Sequence, residues 1–130
     1  MSDYKPSGHP DVSPYLVCAE AEKLADFLCS VFDGSIVRRF DHPDGGWMHG
    51  EVKVGNGVVM IGQPQRAFQP VTGYIHVYVP DAELVQSNAL KQGAKAMMPV
   101  SQQEGDPDRR GGFVDPWGNT WFPATQAENR

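Results

Sequence analysis

The sequence repeats itself with a period near 60 residues. Ala21-Glu22 recurs as Ala82-Glu83, 61 positions later, and the related turns VGNG and WGNT stand before the last strand-like run of each copy. In both copies a strand-like run precedes a helical run, and three further strand-like runs follow it. A repeat of this kind is typical of a chain built from two copies of one supersecondary unit, which here is βαβββ.

Two segments have the pattern of helices. Between Glu20 and Gly34, apolar residues recur at the i, i+3, i+4, i+7 and i+8 positions of an amphipathic stripe, and a glycine ends the run. Between Asp81 and Gly93, an aspartate suited to an N-cap begins a second run. The predicted strands lie within 12–18, 35–41, 47–54 and 58–63 in the first copy and within 73–79, 95–100, 111–115 and 120–125 in the second.

These patterns predict one α+β domain spanning 1–130. Its parts are a first βαβββ module at 11–63, a linker with Gln and Pro residues at 64–72, a second module at 73–125, and flexible tails at 1–10 and 126–130.

Composition excludes several classes of partner. The chain has 11 basic and 16 acidic residues, a net charge of −5, and no basic block that would neutralise a phosphate backbone. We therefore expect no nucleic-acid partner. The amino-terminal segment is polar and the apolar runs are short, so we expect no membrane span and a cytoplasmic location. The two cysteines, Cys18 and Cys29, are expected to be small apolar residues and not a redox pair.

Alternation along the strands assigns side chains to faces. In WMHGEVKV, Met48, Val52 and Val54 fall on one side, and Trp47, His49, Glu51 and Lys53 on the other. In YIHVY, Ile75 and Val77 alternate with Tyr74, His76 and Tyr78. We expect the aliphatic sides to pack on the helices and the aromatic and polar sides to line a concave cleft. Trp47 is expected to contact a ligand, with a core or dimer contact as the alternative, and Trp121 is expected in the core.

The chain resembles the vicinal oxygen chelate superfamily in its paired modules and in the segments YIHVYVPDAE and DRRGGFVDPWGNTWF. This superfamily includes glyoxalase I, extradiol dioxygenases and the fosfomycin- and bleomycin-resistance proteins. The resemblance extends from about residue 11 to about residue 125. It implies an eight-stranded, U-shaped or barrel-like mixed sheet with helices on its convex side. It also implies a small-molecule ligand and a homodimer.

Metal-dependent members of this superfamily hold an ion with His, Gln or Glu on the first and last strand of each module. The matching positions here are Ser13, Met60, Tyr74 and Phe122. None suits a divalent ion, since methionine is soft, tyrosine is protonated at neutral pH, serine is neutral and phenylalanine has no donor atom. The resemblance therefore implies a member without the usual metal centre, and no cofactor is expected.

Other residues leave alternatives open. His49, Glu51 and His76 could hold zinc or iron as a three-ligand site, or they could bind a ligand through hydrogen bonds. Alternatively, one of the histidines could act as a metal-free general base that Glu51 orients. Arg109 could meet an anionic group of a ligand, or an arginine here could pair with Asp106 or Asp108 and set the loop.

Two functions follow from these residues. The first is binding of an aromatic or planar small molecule in the cleft, and the second is a lyase, isomerase or dioxygenase-like enzyme. The candidate ligand-binding residues are Trp47, His49, Glu51, Met60, Tyr74, His76, Tyr78, Arg109 and Phe122.

Overall fold

A computed structural model describes residues 4–66 and 68–127. The chain divides into two compact units, Met1–Val71 and Thr72–Arg130, and each is one βαβββ module. This confirms the two-module α+β architecture that the repeat predicts. Residues 1–3 and 128–130 of the predicted tails lie outside the described residues.

The first unit is a four-stranded mixed sheet with one helix. The sheet order is β1-β4-β3-β2, in which β1 is parallel to β4 and the other neighbours are antiparallel. The bounds of β2 and β3 are those predicted from the sequence. The elements are β1 (Tyr15–Val17), α1 (Ala21–Phe32), β2 (Ser35–Asp41), β3 (Trp47–Val54) and β4 (Gly57–Gly62).

The second unit has the same connectivity. Its order is β5-β8-β7-β6, again with one parallel pair, β5 and β8. The strand β7 begins three residues earlier than predicted, a difference that changes the interpretation of the two arginines. The elements are β5 (Tyr74–Tyr78), α2 (Ala82–Lys91), β6 (Lys95–Ser101), β7 (Asp108–Val114) and β8 (Thr120–Gln126).

Each helix packs on one face of its own sheet. The apolar stripe of α1, including Leu24 and Leu28, is fully buried, and burying a leucine side chain stabilises the fold by roughly 1.5–3 kcal/mol. The helix ends at Asp33, which adopts the left-handed conformation with φ 54°. At the start of α2 the carboxylate of Asp81 accepts a hydrogen bond of 3.1 Å from the backbone N–H of Leu84, as the N-cap pattern predicts.

The turn DPWGN is organised by the buried carboxylate of Asp115. Its Oδ1 accepts hydrogen bonds from the backbone N–H groups of Trp117 and Asn119, at 2.9 and 3.0 Å. Its Oδ2 accepts from the side chains of Asn119 and Trp121, at 3.0 and 2.8 Å. Trp121 is fully buried, which confirms the prediction that it belongs to the core.

The predicted face of Trp47 is wrong. Phe40 pairs with His49 but Asp41 pairs with Trp47, so Met48 is the extra residue of a β-bulge. The bulge turns Trp47 onto the face of Gly50. A Cβ atom added to Gly50 would overlap the indole ring of Trp47. Trp47 is only 2% exposed, and its indole N–H donates to the carbonyl oxygen of Ile61 at 2.9 Å. Its place in the core removes the reason for predicting a ligand contact.

The structure can be compared with the predictions about the cysteines and about a membrane span. Cys18 is buried and Cys29 half-buried, and they do not form a disulfide. Neither of the helices within the described residues is long and apolar enough to cross a membrane. The cytoplasmic location stays a prediction.

Candidate functional site

A buried carboxylate on the first unit's sheet contacts two imidazoles. Glu51, on β3, is 3% exposed. Its Oε1 lies 2.6 Å from Nε2 of His9, and its Oε2 lies 2.8 Å from Nε2 of His49. The guanidinium of Arg38, on the neighbouring strand β2, has its Nε atom 3.7 Å from Oε1. The structure thus brings together His49 and Glu51, as alternation along β3 predicts.

These partners keep the carboxylate ionised. Burial by itself raises the pKa of Glu51, but hydrogen bonds from His49 and His9 and the charge of Arg38 together outweigh it. The resulting pKa lies below its ordinary value. At neutral pH Glu51 therefore acts as a hydrogen-bond acceptor only.

The phenol of Tyr15 extends this hydrogen-bonded cluster to the surface. Its hydroxyl lies 3.2 Å from Nδ1 of His49, and the residue is 41% exposed. Tyr15 reaches His49 across β4 because Gly62 has no side chain. A Cβ atom at Gly62 would lie 2.8 Å from the tyrosine hydroxyl.

Four rings lie in a row on this face. Phe68 stacks on Tyr15 with ring centroids 6.1 Å apart. Tyr15 and His49 are 5.5 Å apart, and His49 and Phe40 are 6.1 Å apart. Met60 occupies the register position between Tyr15 and Glu51. The row offers flat apolar surface beside a buried charge.

Two buried polar atoms of the amino-terminal segment have no hydrogen-bond partner: Nδ1 of His9 and the hydroxyl oxygen of Ser13. The predicted flexible tail at 1–10 includes His9, whose ring is nevertheless held against Glu51. Residues Tyr4 and Lys5 of the same segment donate hydrogen bonds to Asp11.

The second unit also has a ring-bearing sheet face. On β5 the alternate residues Tyr74, His76 and Tyr78 are all exposed, with 82% of Tyr74 and 64% of Tyr78 accessible. Tyr74 meets Phe122 edge to face at 6.0 Å, and His76 meets Tyr78 in the same way at 4.7 Å. The prediction that these side chains share one face is confirmed by their alternation and contacts.

The two arginines lie on β7 and not in a loop, so they point to opposite faces. Arg109 binds Glu83 on α2 and is therefore on the helix side. Arg110 lies 3.3 Å from both Asp106 and Asp108. The predicted arginine–aspartate pairing thus occurs at Arg110. The prediction that Arg109 contacts a ligand loses its geometric basis, since Arg110 is the one near the rings.

Buried and half-buried charges surround the rings of β5. Asp108 is buried and accepts a hydrogen bond of 2.7 Å from the hydroxyl of Tyr78, which raises the pKa of that tyrosine. Partial desolvation of the imidazole by its neighbours lowers the pKa of His76, and the positive charge of Arg110 lowers it further, while Asp108 and Asp106 oppose this. His76 is consequently a neutral imidazole at neutral pH.

The four positions that carry metal ligands in related enzymes do not fit an ion here. Two of them, Tyr74 and Phe122, place aromatic rings in contact with each other. The other two supply the thioether of Met60 and the neutral hydroxyl of Ser13. Over residues 4–66 and 68–127, no group of three or more His, Cys, Asp or Glu residues is arranged to hold a metal ion. His76, the third residue of the displaced-metal hypothesis, belongs to the second unit.

Sequence reasoning missed five residues of these clusters, namely His9, Tyr15, Arg38, Phe40 and Phe68. Tyr15 and Arg38 lie on strands, and alternation could have placed Tyr15 with Ser13 on one face. His9 lies in a segment without periodicity and contacts a residue 42 positions away, so no local pattern indicates it. The sequence pattern does not distinguish Arg110 from Arg109, because both precede the predicted strand, which begins at Gly111.

Comparisons with known proteins agree with this architecture. A model of the Glyoxalase/Bleomycin resistance protein/Dioxygenase superfamily matches residues 9–122. An uncharacterized protein of Mycobacterium bovis (strain ATCC BAA-935 / AF2122/97) is 30% identical over 125 residues, covering 86% of this chain and 80% of the relative.

Solved structures show the same fold at low identity. TioX from Micromonospora sp. ML1 is similar with a TM-score of 0.75 and 19% identity, over 90% of this chain and 98% of that one. A glyoxalase-related enzyme from Fulvimarina pelagi is similar with a TM-score of 0.70 and 16% identity, over 90% and 88% of the two chains.

Proposed function

The chain belongs to the glyoxalase/bleomycin resistance protein/dioxygenase superfamily, and we propose that it binds a planar aromatic small molecule on the ring-bearing faces of its sheets. Binding on these faces needs no metal ion. The proposal assigns the chain a function like that of superfamily members that sequester small molecules. Its reason is that Met60, Tyr74 and Phe122, at the usual metal-ligand positions, offer a thioether and aromatic rings, which suit a divalent ion poorly.

The observation that carries this proposal is the exposure of the β5 rings. Tyr74 and Tyr78 are large aromatic residues with most of their surface accessible, on the sheet face opposite α2. Exposed aromatic surface of this kind marks a binding site more often than an ordinary surface. The row of Phe68, Tyr15, His49 and Phe40 gives the first unit's sheet a similar surface.

Calorimetric titration with a panel of planar aromatic compounds, neutral and charged, tests this proposal. For compounds that bind, Tyr74→Ala is expected to weaken the affinity about two- to tenfold, because an aromatic contact contributes about 0.5–1.5 kcal/mol. Leu84→Ala is a matched control, since Leu84 is exposed on α2 and does not belong to a ring-bearing face. Treatment with a chelator is expected to leave the affinity unchanged.

Two results would contradict the proposal. The first is that no compound of the panel binds at millimolar concentration. The second is that Tyr74→Ala and Leu84→Ala weaken binding equally, which would place the ligand elsewhere.

A second candidate function is supported by the contact between His49 and Glu51. An imidazole held by a buried carboxylate is suited to general-base catalysis, such as the proton abstraction that begins many lyase and isomerase reactions. The test is to incubate panel compounds that have acidic C–H groups with the protein in D₂O and to follow deuterium incorporation by NMR. Exchange that persists in His49→Ala would exclude this function.

The proposal includes a homodimer in the cytoplasm, with the small molecule as the other partner and no nucleic acid. Support for the dimer comes from the superfamily, in which many members are homodimers, and from the exposed rings. Light scattering during size-exclusion chromatography measures the mass directly, and a mass of one chain at micromolar concentration would contradict the dimer.

A further inference from the structure

The ionised carboxylate of Glu51 constrains where protons lie in the hydrogen-bonded cluster of the first unit. An ionised Glu51 can only accept, so Nε2 of His49 carries a proton and donates it at 2.8 Å. When the imidazole of His49 is neutral, its other ring nitrogen is an acceptor. The hydroxyl of Tyr15, 3.2 Å from Nδ1, then donates to it. The lone pairs of the Tyr15 oxygen are left for a group outside the cluster.

From this geometry we infer that Tyr15 exchanges a proton with an acidic ligand, a phenol or an enol, bound on the ring row of the first unit's sheet. The inference rests on the proposed function, because it names the chemical class of ligand that one of the ring-bearing faces takes. Tyr15 would contact the ligand oxygen, while His49 and Glu51 act through it as positioning residues.

The proton balance closes without any further reactant. The ligand O–H bond breaks, and its proton passes to the oxygen of Tyr15. In the same step the phenolic proton of Tyr15 passes to Nδ1 of His49. The products are the ligand anion, a neutral Tyr15 that donates a hydrogen bond to this anion, and an imidazolium whose Nε2 stays bonded to the carboxylate of Glu51.

The surroundings favour this charge distribution. The imidazolium is stabilised by a carboxylate that is 3% exposed, where the attraction is screened less than in water. Two further groups face that carboxylate: the imidazole of His9 at 2.6 Å and the guanidinium of Arg38 at 3.7 Å. Arg38 also lies over the ring of Phe40, 5.1 Å from its centroid, beside the row on which an anionic ligand would rest.

The ligand-free protein provides the first test. Long-range ¹H–¹⁵N NMR spectra distinguish protonated from unprotonated ring nitrogens, and His49→Gln identifies the signals of His49. We expect Nε2 to be protonated and Nδ1 to be an acceptor whose chemical shift changes in Tyr15→Phe. Tyr4→Phe is the matched control, because Tyr4 is 81% exposed and does not contact His49. A neutral His49 with its proton on Nδ1 would overturn the inference.

The second test uses 4-nitrophenol, whose anion absorbs visible light. When this compound binds the wild-type protein, its apparent pKa is expected to fall by about one unit, which is a tenfold larger phenolate fraction below its midpoint. The shift should disappear in Tyr15→Phe and His49→Gln and persist in Tyr4→Phe. If Tyr15→Phe fails to fold, Gly62→Ala displaces the hydroxyl without removing the phenol.

The outcomes separate this inference from the proposed function. Absence of 4-nitrophenol binding, or binding with an unchanged pKa, would overturn the inference, because the site is assigned to acidic phenols and enols. The proposed function is tested separately, by the neutral planar compounds of the panel and by the comparison of Tyr74→Ala with Leu84→Ala.

Discussion

The ring of Tyr15 lies directly over Gly62, and its hydroxyl occupies the space that a side chain at position 62 would need. The two residues are on neighbouring parallel strands, and the absence of a Cβ atom allows the phenol to reach His49 at 3.2 Å. The absence of a side chain at Gly62 therefore allows the half-exposed Tyr15 to contact the buried cluster of His49 and Glu51.

Replacing Gly62 with alanine is expected to separate Tyr15 from His49 at little cost in stability. The new methyl group would meet the far end of a half-exposed, flexible side chain, which can rotate away, so the free energy of unfolding should change by less than about 1 kcal/mol. Urea denaturation measures the stability, and the Nδ1 chemical shift of His49 reports the lost hydrogen bond. An unchanged shift would show that Tyr15 does not donate to this nitrogen.

Glu51 is expected to make stability depend on pH in the acid range. Its pKa in the folded protein lies below the ordinary value of 4.5, so the ionised carboxylate contributes stability above that pH. The contribution is lost as the pH falls through the folded-state pKa. Urea denaturation from about pH 6 to pH 3 should show a steeper loss for wild type than for Glu51→Gln.

The matched control for this pH dependence is Glu104→Gln, because Glu104 is exposed. This variant should keep the wild-type slope. Equal slopes in wild type and Glu51→Gln would mean that the two imidazoles and Arg38 do not favour the charged form of Glu51.

Local patterns were sufficient to predict the elements and their order. Periods of 3.6 and 2 residues depend only on which residues of a segment are buried, so α1 and the bounds of β3 follow from the sequence. The second helix follows from its N-cap aspartate and terminal glycine. A bulge breaks this logic, because one extra residue at Met48 reverses the face of every residue before it. Alternation therefore placed Trp47 on the wrong side, although His49 and Glu51, which follow the bulge, were placed correctly.

The parts of the site that could not be predicted depend on long-range contacts. Asp108 and Arg110 belong to a strand because β7 pairs with β8, which places Asp108 opposite Gln126 and Arg110 opposite Ala124. The carboxylate of Asp108 also accepts a hydrogen bond from Tyr78, 30 positions earlier. Their charges and the preceding proline are equally typical of a loop. His9 likewise reaches Glu51 from a segment without regular structure. Such pairings follow from the folded chain and leave no periodic pattern.

Asp115→Ala is expected to destabilise the second unit by about 3 kcal/mol or more. The carboxylate accepts four hydrogen bonds in a buried turn, and each buried donor left without a partner costs about 1–3 kcal/mol. Urea denaturation followed by circular dichroism would report the loss. Asp44→Ala, at an exposed turn position, should stay within about 0.5 kcal/mol of wild type, and equal effects of the two substitutions would contradict this role for Asp115.

Gly50→Ala is expected to be more damaging than Gly62→Ala, although both add one methyl group to the same sheet. At position 50 the Cβ atom would lie 1.9 Å from the indole of Trp47. That ring is buried and held by its hydrogen bond to Ile61, so it cannot rotate into solvent. Overpacking a core in this way costs typically 1–3 kcal/mol and sometimes more.

Urea denaturation of Gly50→Ala, compared with Gly57→Ala, measures this cost on a common background. Gly57 is the matched control on β4, because its nearest contact for a Cβ atom is an ordinary 3.5 Å. We expect Gly57→Ala to remain close to wild type and Gly50→Ala to lose at least about 2 kcal/mol. If the two variants were equally stable, Trp47 would have to lie off the Gly50 face, and the bulge at Met48 would no longer explain why the tryptophan is in the core.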